Sequence, residues 1–246
     1  MVSRLASAYD SAWIALRDVS MPDRIATETG RRPAAGLVGI LLAAGRGERF
    51  GGSKLLATTR LERSGASTLV ASRPEPARID SNAGAAGECI GAMACRNLLT
   101  VLPRVIAVVR PDDAALAAAL GAAGARIVRC ASADAGMGAS LACGVLATKD
   151  AAGWIVALGD MPWIDPSTIA RVAAAIGQGA AVAAPFYRGQ RGHPVGFGAA
   201  CFAALAALDD DDGAKSIVAS HRDTLVRLDV DDEGTVRDID HPADIV

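Results

Sequence analysis

The chain carries no strong excess of either charge. Its 246 residues include 25 Lys and Arg against 27 Asp and Glu, a formal net charge of -2. That balance removes the electrostatic reason to expect nucleic acid or a membrane surface as a partner. No apolar run reaches the ~18 residues needed to span a bilayer. The N-terminus has no continuous apolar core of the kind a secretion signal uses. Cysteines are few and odd in number (Cys89, Cys95, Cys130, Cys143 and Cys201), with no CxxC pair. A disulfide framework and a zinc site are therefore disfavoured, and the expectation is reduced, mostly buried thiols in a cytoplasmic protein. His193, His221 and His241 make no metal cluster. What remains is a chain that is 51% hydrophobic. It is long enough for one α/β domain, or one domain with appendages, around a substantial core.

The two commonest glycine loops are missing as well. There is no GxxxxGK[ST], because Lys54 follows Ser53 and precedes Leu55, and Gly45-Arg46-Gly47 does not continue into GxGxxG. Residues 41–56 nevertheless read LLAAGRGERFGGSKLL. An apolar run, 37–44, stops at Gly45, and a glycine-punctuated loop with Arg46, Arg49 and Lys54 follows. A buried strand feeding such a loop makes an anion cradle: glycines admit phosphate oxygens to the backbone, N–H groups point inward, and the cations neutralise charge. A nucleoside triphosphate is the expected ligand. A glycine turn after a strand can also bind nothing.

From residue 36 the pattern is regular. Near-continuous apolar runs at 37–43, 104–109, 126–130, 154–158 and 181–184 predict five strands buried on both faces. Alanine-rich stretches at 112–123, 138–148 and 166–176 predict helices between them. The alternation implies a doubly wound, mostly parallel α/β sheet with ligands at the strands' carboxyl ends. The glycine loop and Gly159-Asp160 both lie at such ends, so the two are expected to face one crevice. Residues 1–35 read as an N-terminal extension, loosely tied down or upstream of a later start at Met21. Residues 58–86 have no sustained period and read as a long irregular insertion. The acidic run Asp209–Asp212 reads as a solvated helix start.

Several residues carry candidate chemistry. Asp160 follows an apolar strand across Gly159, placing a carboxylate at the sheet edge. Asp165-Pro166 has the form of a helix N-cap followed by its first residue. Asp238 and Asp240 straddle Ile239, so in extended backbone they share a face, though Asp240 could instead cap the turn opened by Pro242. Mg²⁺ favours one or two carboxylates with phosphate oxygens and water, a requirement Asp160 and Asp240 would meet together. Gly136-Met137-Gly138-Ala139-Ser140 suits either close contact with a nucleoside or a plain helix start. Residues 187–197, YRGQRGHPVGF, form a basic turn that would grip an anionic second substrate or simply face solvent. Trp154 and Trp163 read as packing residues.

Five segments, LAAGRGERFGGSK, GMGASL, ALGDMP, RGHPVGF and DIDHPADI, occur in that order. Together they resemble the MobA/MocA-like nucleotidyltransferases, most closely the molybdenum cofactor cytidylyltransferases. The resemblance covers 36–246 apart from 58–86. It implies a Rossmann-like sheet of the nucleotide-diphospho-sugar transferase type. The implied reaction moves CMP from CTP to molybdopterin-type cofactor, with release of pyrophosphate. Leu42, Ala43, Ala44, Gly45, Arg46, Gly47, Lys54, Gly138, Ser140 and Gly159 would bind the nucleotide. Lys54, Asp160 and Arg46 would be catalytic, and Asp160 with Asp240 would hold Mg²⁺. Arg191, Gly192, His193 and Pro194 would face the pterin. LAAG, where guanylyl relatives tend to show LAGG, is the basis for naming CTP. The alternatives are a related nucleotidyltransferase using GTP or another NTP as donor, or another phosphorylated acceptor, or a non-catalytic partner delivering cofactor to a molybdenum hydroxylase. The N-terminal extension and the insertion depart from the family pattern.

Overall fold

A computed structural model describes residues 36–47, 50, 53–58 and 88–245. The expectations for residues 1–35, for the insertion beyond Thr58 and for Arg49 lie outside the described residues. The chain leaves and re-enters the described structure at neighbouring points. Thr58 forms an antiparallel bridge with Cys89, and the Ile90 N–H donates to Ala57 O at 3.0 Å.

The elements are β1 (Leu37–Leu42), α1 (Ile90–Val101), β2 (Val105–Val109), α2 (Ala114–Ala122), β3 (Arg126–Arg129), α3 (Met137–Leu146) and β4 (Gly153–Leu158). They continue as α4 (Pro166–Gly177), β5 (Val182–Tyr187), β6 (Gln190–Arg191), β7 (Val195–Gly198), α5 (Phe202–Ala206), α6 (Lys215–Ser220) and β8 (Val226–Asp229). The described strands make one sheet in the order β3-β2-β1-β4-β7-β5-β6, with β8 on β5. Pairings of β1 with β2 and β4, β2 with β3, and β5 with β8 are parallel; β7 runs antiparallel between β4 and β5. The fold is thus the expected mostly parallel, doubly wound α/β sheet.

The apolar runs explain why the sheet is covered on both faces. In β1, Val38, Ile40 and Leu42 enter one core with Leu141 and Val145 of α3 and Leu205 of α5. Leu41 enters the other, with Leu98 of α1 and Ile169, Val172 and Ile176 of α4. Strand geometry sends successive side chains to opposite faces, so a strand apolar at every position must be sandwiched. β3 departs from this expectation: its pattern is exposed at Arg126 and Arg129 because it is the sheet's edge. Asp165 caps α4 as expected, accepting from the Ser167 N–H at 2.7 Å, with Pro166 at the first position. Trp154 is buried as expected, its Nε1 donating to Thr148 Oγ1 at 3.0 Å.

The cysteine expectation is corrected in part. Cys130, following β3, and Cys143 of α3 form a disulfide. The crossover from β3 into α3 brings their Cα atoms to 6.0 Å, within bonding range, although they stand 13 positions apart and no motif marks them. Cys89, Cys95 and Cys201 are free. Asp240 is not the cap of the last turn: His241 is, and Asp244 Oδ2 accepts from the backbone N–H groups of Asp240 and His241 at 2.9 and 2.6 Å. Asp209–Asp212 is exposed, and it ends just before α6 in the loop after α5. No described helix is long and apolar enough to cross a membrane.

Candidate active site

Parallel pairing of β1 with β4 sets their carboxyl ends side by side. The Gly159 N–H donates to Leu42 O at 2.9 Å, locking the two exits together. The glycine loop and Asp160 therefore do face one crevice, of about 870 Å³. Leu42, Ala43, Ala44, Gly45, Arg46 and Gly47 run along its wall, with Lys54, Ser140 and Asp160. Gly47 sits at φ 62°, a conformation that favours glycine and turns the loop back after β1.

Lys54 opens a short 3-10 turn, Lys54–Leu56, that lies against the end of β4. A Cβ at Gly159 would meet Leu55 Cδ1 at 3.0 Å, so the bare backbone there is what admits this turn. Lys54 Nζ donates to Asp160 Oδ2 at 2.8 Å and to Asp240 Oδ1 at 3.2 Å. Burial alone would lower the lysine's pKa. Its hydrogen bonds and charge contacts with Asp160 and Asp240 outweigh that and hold it above its ordinary value.

The C-terminal segment reaches Asp160 through a series of backbone anchors. Asp232 accepts from the Asp165 N–H, the Thr168 hydroxyl and the Gly234 N–H, tying the segment to the start of α4. The His193 N–H donates to Thr235 O at 2.8 Å, and the Ile239 N–H donates to Asp160 O at 3.0 Å. Ile239 is fully buried, so Asp238 and Asp240 project the other way, as their spacing requires. Carboxylate oxygens of Asp160, Asp238 and Asp240 lie within 4.8 Å of one another. Asp160 Oδ1 is buried without a hydrogen-bond partner. An all-oxygen set with one unsatisfied buried carboxylate oxygen fits a hard divalent cation. Asp238 joins the pair expected from sequence, and the i, i+2 spacing that pointed to Asp240 pointed equally to it.

The remaining expected residues divide. Ser140 is buried on the cleft wall, its hydroxyl donating to Gly136 O at 3.2 Å. Gly138 and Gly159 do not line the cleft. A Cβ on Gly138 would meet Asp210 O at 2.7 Å, and its N–H donates to that same oxygen at 2.8 Å. Arg191, Gly192, His193 and Pro194 are also outside the lining. Arg191 is exposed on β6, while Gly192 and Pro194 are buried. His193 is only partly exposed as a residue, and its Nδ1 is sealed from solvent with no partner. Burial, with help from the Arg191 charge, pushes the imidazole pKa down to about 4 against the opposing pull of Asp160.

Four charged lining residues had not been anticipated as site residues: Arg110, Asp113, Asp134 and Asp211. Arg110 follows β2 directly, as Asp160 nearly follows β4, so the same strand-end rule would have found it. Asp134 carries no such signal.

The model of the MobA-like NTP transferase domain matches residues 83–225. The chain belongs to that family. The match includes Ser140, Asp160 and the 191–194 segment, and it begins after the glycine loop and Lys54. Members are nucleotidyltransferases, and this chain is one of MobA-like type. No curated protein matches. Solved structures do. A nucleotidyl transferase from Methanothermobacter thermautotroptrophicus (Mth528) superposes with TM-score 0.65 at 21% identity, covering 85% of this chain and 94% of its own. Rv0371c from Mycobacterium tuberculosis H37Rv gives 0.63 at 24%, covering 85% and 95%. Another structure of Rv0371c is a complex with manganese and gives 0.56 at 23%, covering 79% and 88%. Molybdopterin-guanine dinucleotide biosynthesis protein A from Archaeoglobus fulgidus gives 0.56 at 16%, covering 85% and 94%. Identities this low establish the shared fold alone.

Proposed function

We propose that this MobA-like transferase moves CMP from CTP to the terminal phosphate of a molybdopterin-type acceptor and releases pyrophosphate. The observation that carries the reading is the meeting of Lys54, Asp160 and Asp240 at a glycine-walled cleft that Lys54 and Asp160 line. Residues 42–47 would cradle the triphosphate through backbone N–H groups, with Arg46 and Lys54 neutralising its charge. Gly138 and Ser140 would lie beside the nucleoside, with Gly159 at the joined ends of β1 and β4. Asp160 and Asp240, joined by Asp238, would hold Mg²⁺, which when bound supplies charge stabilisation at the phosphates. An acceptor phosphate oxygen attacks the α-phosphorus in line, the bond to the bridging oxygen of the β-phosphate breaks, and that oxygen leaves with pyrophosphate. Lys54 stabilises the developing negative charge. No covalent enzyme intermediate is needed, and catalysis is positioning plus electrostatics. Arg191 would meet an anionic acceptor, with Gly192, His193 and Pro194 beside it in the same turn.

The buried unpartnered Asp160 Oδ1 and the neighbouring manganese complex support a divalent requirement. The resemblance of LAAG to the cytidylyl branch supports CTP, whereas the Archaeoglobus neighbour supports GTP as the competing donor. The deciding experiment measures pyrophosphate release from CTP, GTP, ATP and UTP at equal concentration, with and without the pterin acceptor and Mg²⁺. Acceptor-dependent release from CTP is the expected result. Preference for GTP would reassign the donor. Absence of release from all four, with a molybdenum hydroxylase still captured, would favour the delivery role.

A further inference from the structure

Arg46 and Arg110 converge on one carboxylate oxygen. Arg46 Nη2 and Arg110 Nη1 each lie 2.6 Å from Asp134 Oδ1. The three come from the loop after β1, the end of β2 and the 3-10 turn Ala133–Ala135 after β3, and all three line the cleft. The two arginines are not equivalent. The Arg110 side chain is 17% exposed and also meets Asp112, with Nε 3.5 Å from Oδ1. Arg46 is 57% exposed, and among the described residues Asp134 is its one ion-pair partner. The hydrogen bonds, from Arg110 first and Arg46 second, hold the Asp134 carboxyl below its usual range, so it stays charged.

An exposed ion pair of this kind is worth little, because water solvates both partners nearly as well. A triphosphate in the same cleft offers Arg46 more charge and several acceptor oxygens. We infer that Asp134 competes with a triphosphate in this cleft for Arg46. When the triphosphate binds, Arg46 transfers to it while Arg110 keeps Asp134 in place. Asp134 is then a specificity-determining residue that tunes affinity for the phosphate tail and not for the nucleoside. The inference rests on the cleft being the nucleotide site.

The test is equilibrium binding of CTP and cytidine, and in parallel GTP and guanosine, to the full chain and to Asp134→Asn, Arg46→Gln and the double variant. Asp134→Asn should tighten the preferred triphosphate up to about fivefold, the equivalent of one exposed pair. The matching nucleoside should change less than about twofold on the same scale. In the Arg46→Gln background the gain should disappear. Asp134→Ser repeats the comparison with a different side chain, and a melting curve confirms folding. Equal weakening of triphosphate and nucleoside would make Asp134 a nucleoside contact and overturn the exchange. So would an unchanged affinity, or a gain that persists in full without Arg46. Failure of the unmodified protein to bind any triphosphate would overturn the proposed function itself, a result distinct from all of these.

Discussion

Two charge clusters meet at the cleft, built from the same chemistry and set at different depths. One is a lysine between carboxylates, with Lys54 12%, Asp160 23% and Asp240 36% exposed. The other is a carboxylate between arginines, with Arg46 57% and Asp134 59% exposed. Depth decides what each can do. Breaking the deep cluster leaves a charge stranded in low dielectric, so its members hold a fixed geometry. Breaking the exposed Arg46–Asp134 pair costs little because water replaces the lost partner, so Arg46 can exchange while Arg110 stays. The first has the rigidity a reaction centre requires, and the second the lability of a binding switch.

Loss of the deep carboxylate should have the largest effect. Asp160→Asn is expected to lower pyrophosphate release at least 10³-fold, in line with removal of a charge-stabilising group at a phosphoryl-transfer site. A variant with wild-type turnover would move the reaction away from this cluster. Lys54→Met should follow, with kcat down on the order of 10²-fold, since one preorganised cation is lost while the carboxylates remain. If only KM rises, Lys54 contributes uniform binding and not transition-state charge stabilisation.

His193 sharpens the role of depth through pH. Its folded value of about 4 lies below the ordinary 6.5, so the unfolded chain takes up the proton first as pH falls. Stability should be unaffected by this group above 6.5 and fall between 6.5 and 4, by about 3 kcal/mol in total. The charges acting on the ring are Arg191, which disfavours the imidazolium, and Asp160, which favours it. Urea unfolding at pH 7 and pH 4.5 should show a smaller acid loss in His193→Gln than in the unmodified chain. Equal losses would mean the ring titrates normally.

A backbone contact gives the next step down. A Cβ at Gly192 would collide with the Thr235 carbonyl that anchors the C-terminal segment. Gly192→Ala should therefore cost about 1–3 kcal/mol by overpacking. It should also weaken the placement of Asp240, so thermal unfolding and turnover fall together; an undisturbed melt would show that the segment shifts freely. At the bottom of the scale, Asp134→Asn should leave the melting temperature unchanged, in contrast to its effect on triphosphate affinity. A clear drop in melting temperature would mean that the shallow cluster is structural after all.

Much of the architecture was legible because it depends on local pattern. Apolar runs without alternation announced strands buried on both faces, and all five lie where expected within a residue or a few. Asp165-Pro166 announced the start of α4, and the glycine loop declared itself by following a strand. Other elements carried no comparable signal. β8, Val226–Asp229, is largely exposed at every position except Leu228, so it has no apolar run to recognise. β7 was hidden inside a turn-like segment, and α1 was masked by the irregular stretch before it.

Sequence order and periodicity thus prescribed the layered sheet and put Gly45 and Asp160 at strand ends, because burial of apolar faces is a local demand repeated along the chain. Which distant groups meet was a different question. The order of strands joined β1 to β4. The return of the C-terminal segment, anchored at Asp232, Thr235 and Ile239, delivered Asp238 and Asp240 to Asp160. The crossover from β3 to α3 joined Cys130 to Cys143, and three separate loops brought Arg46, Arg110 and Asp134 together. Such meetings depend on the whole topology, since residues far apart in the chain become neighbours only after the elements between them have packed.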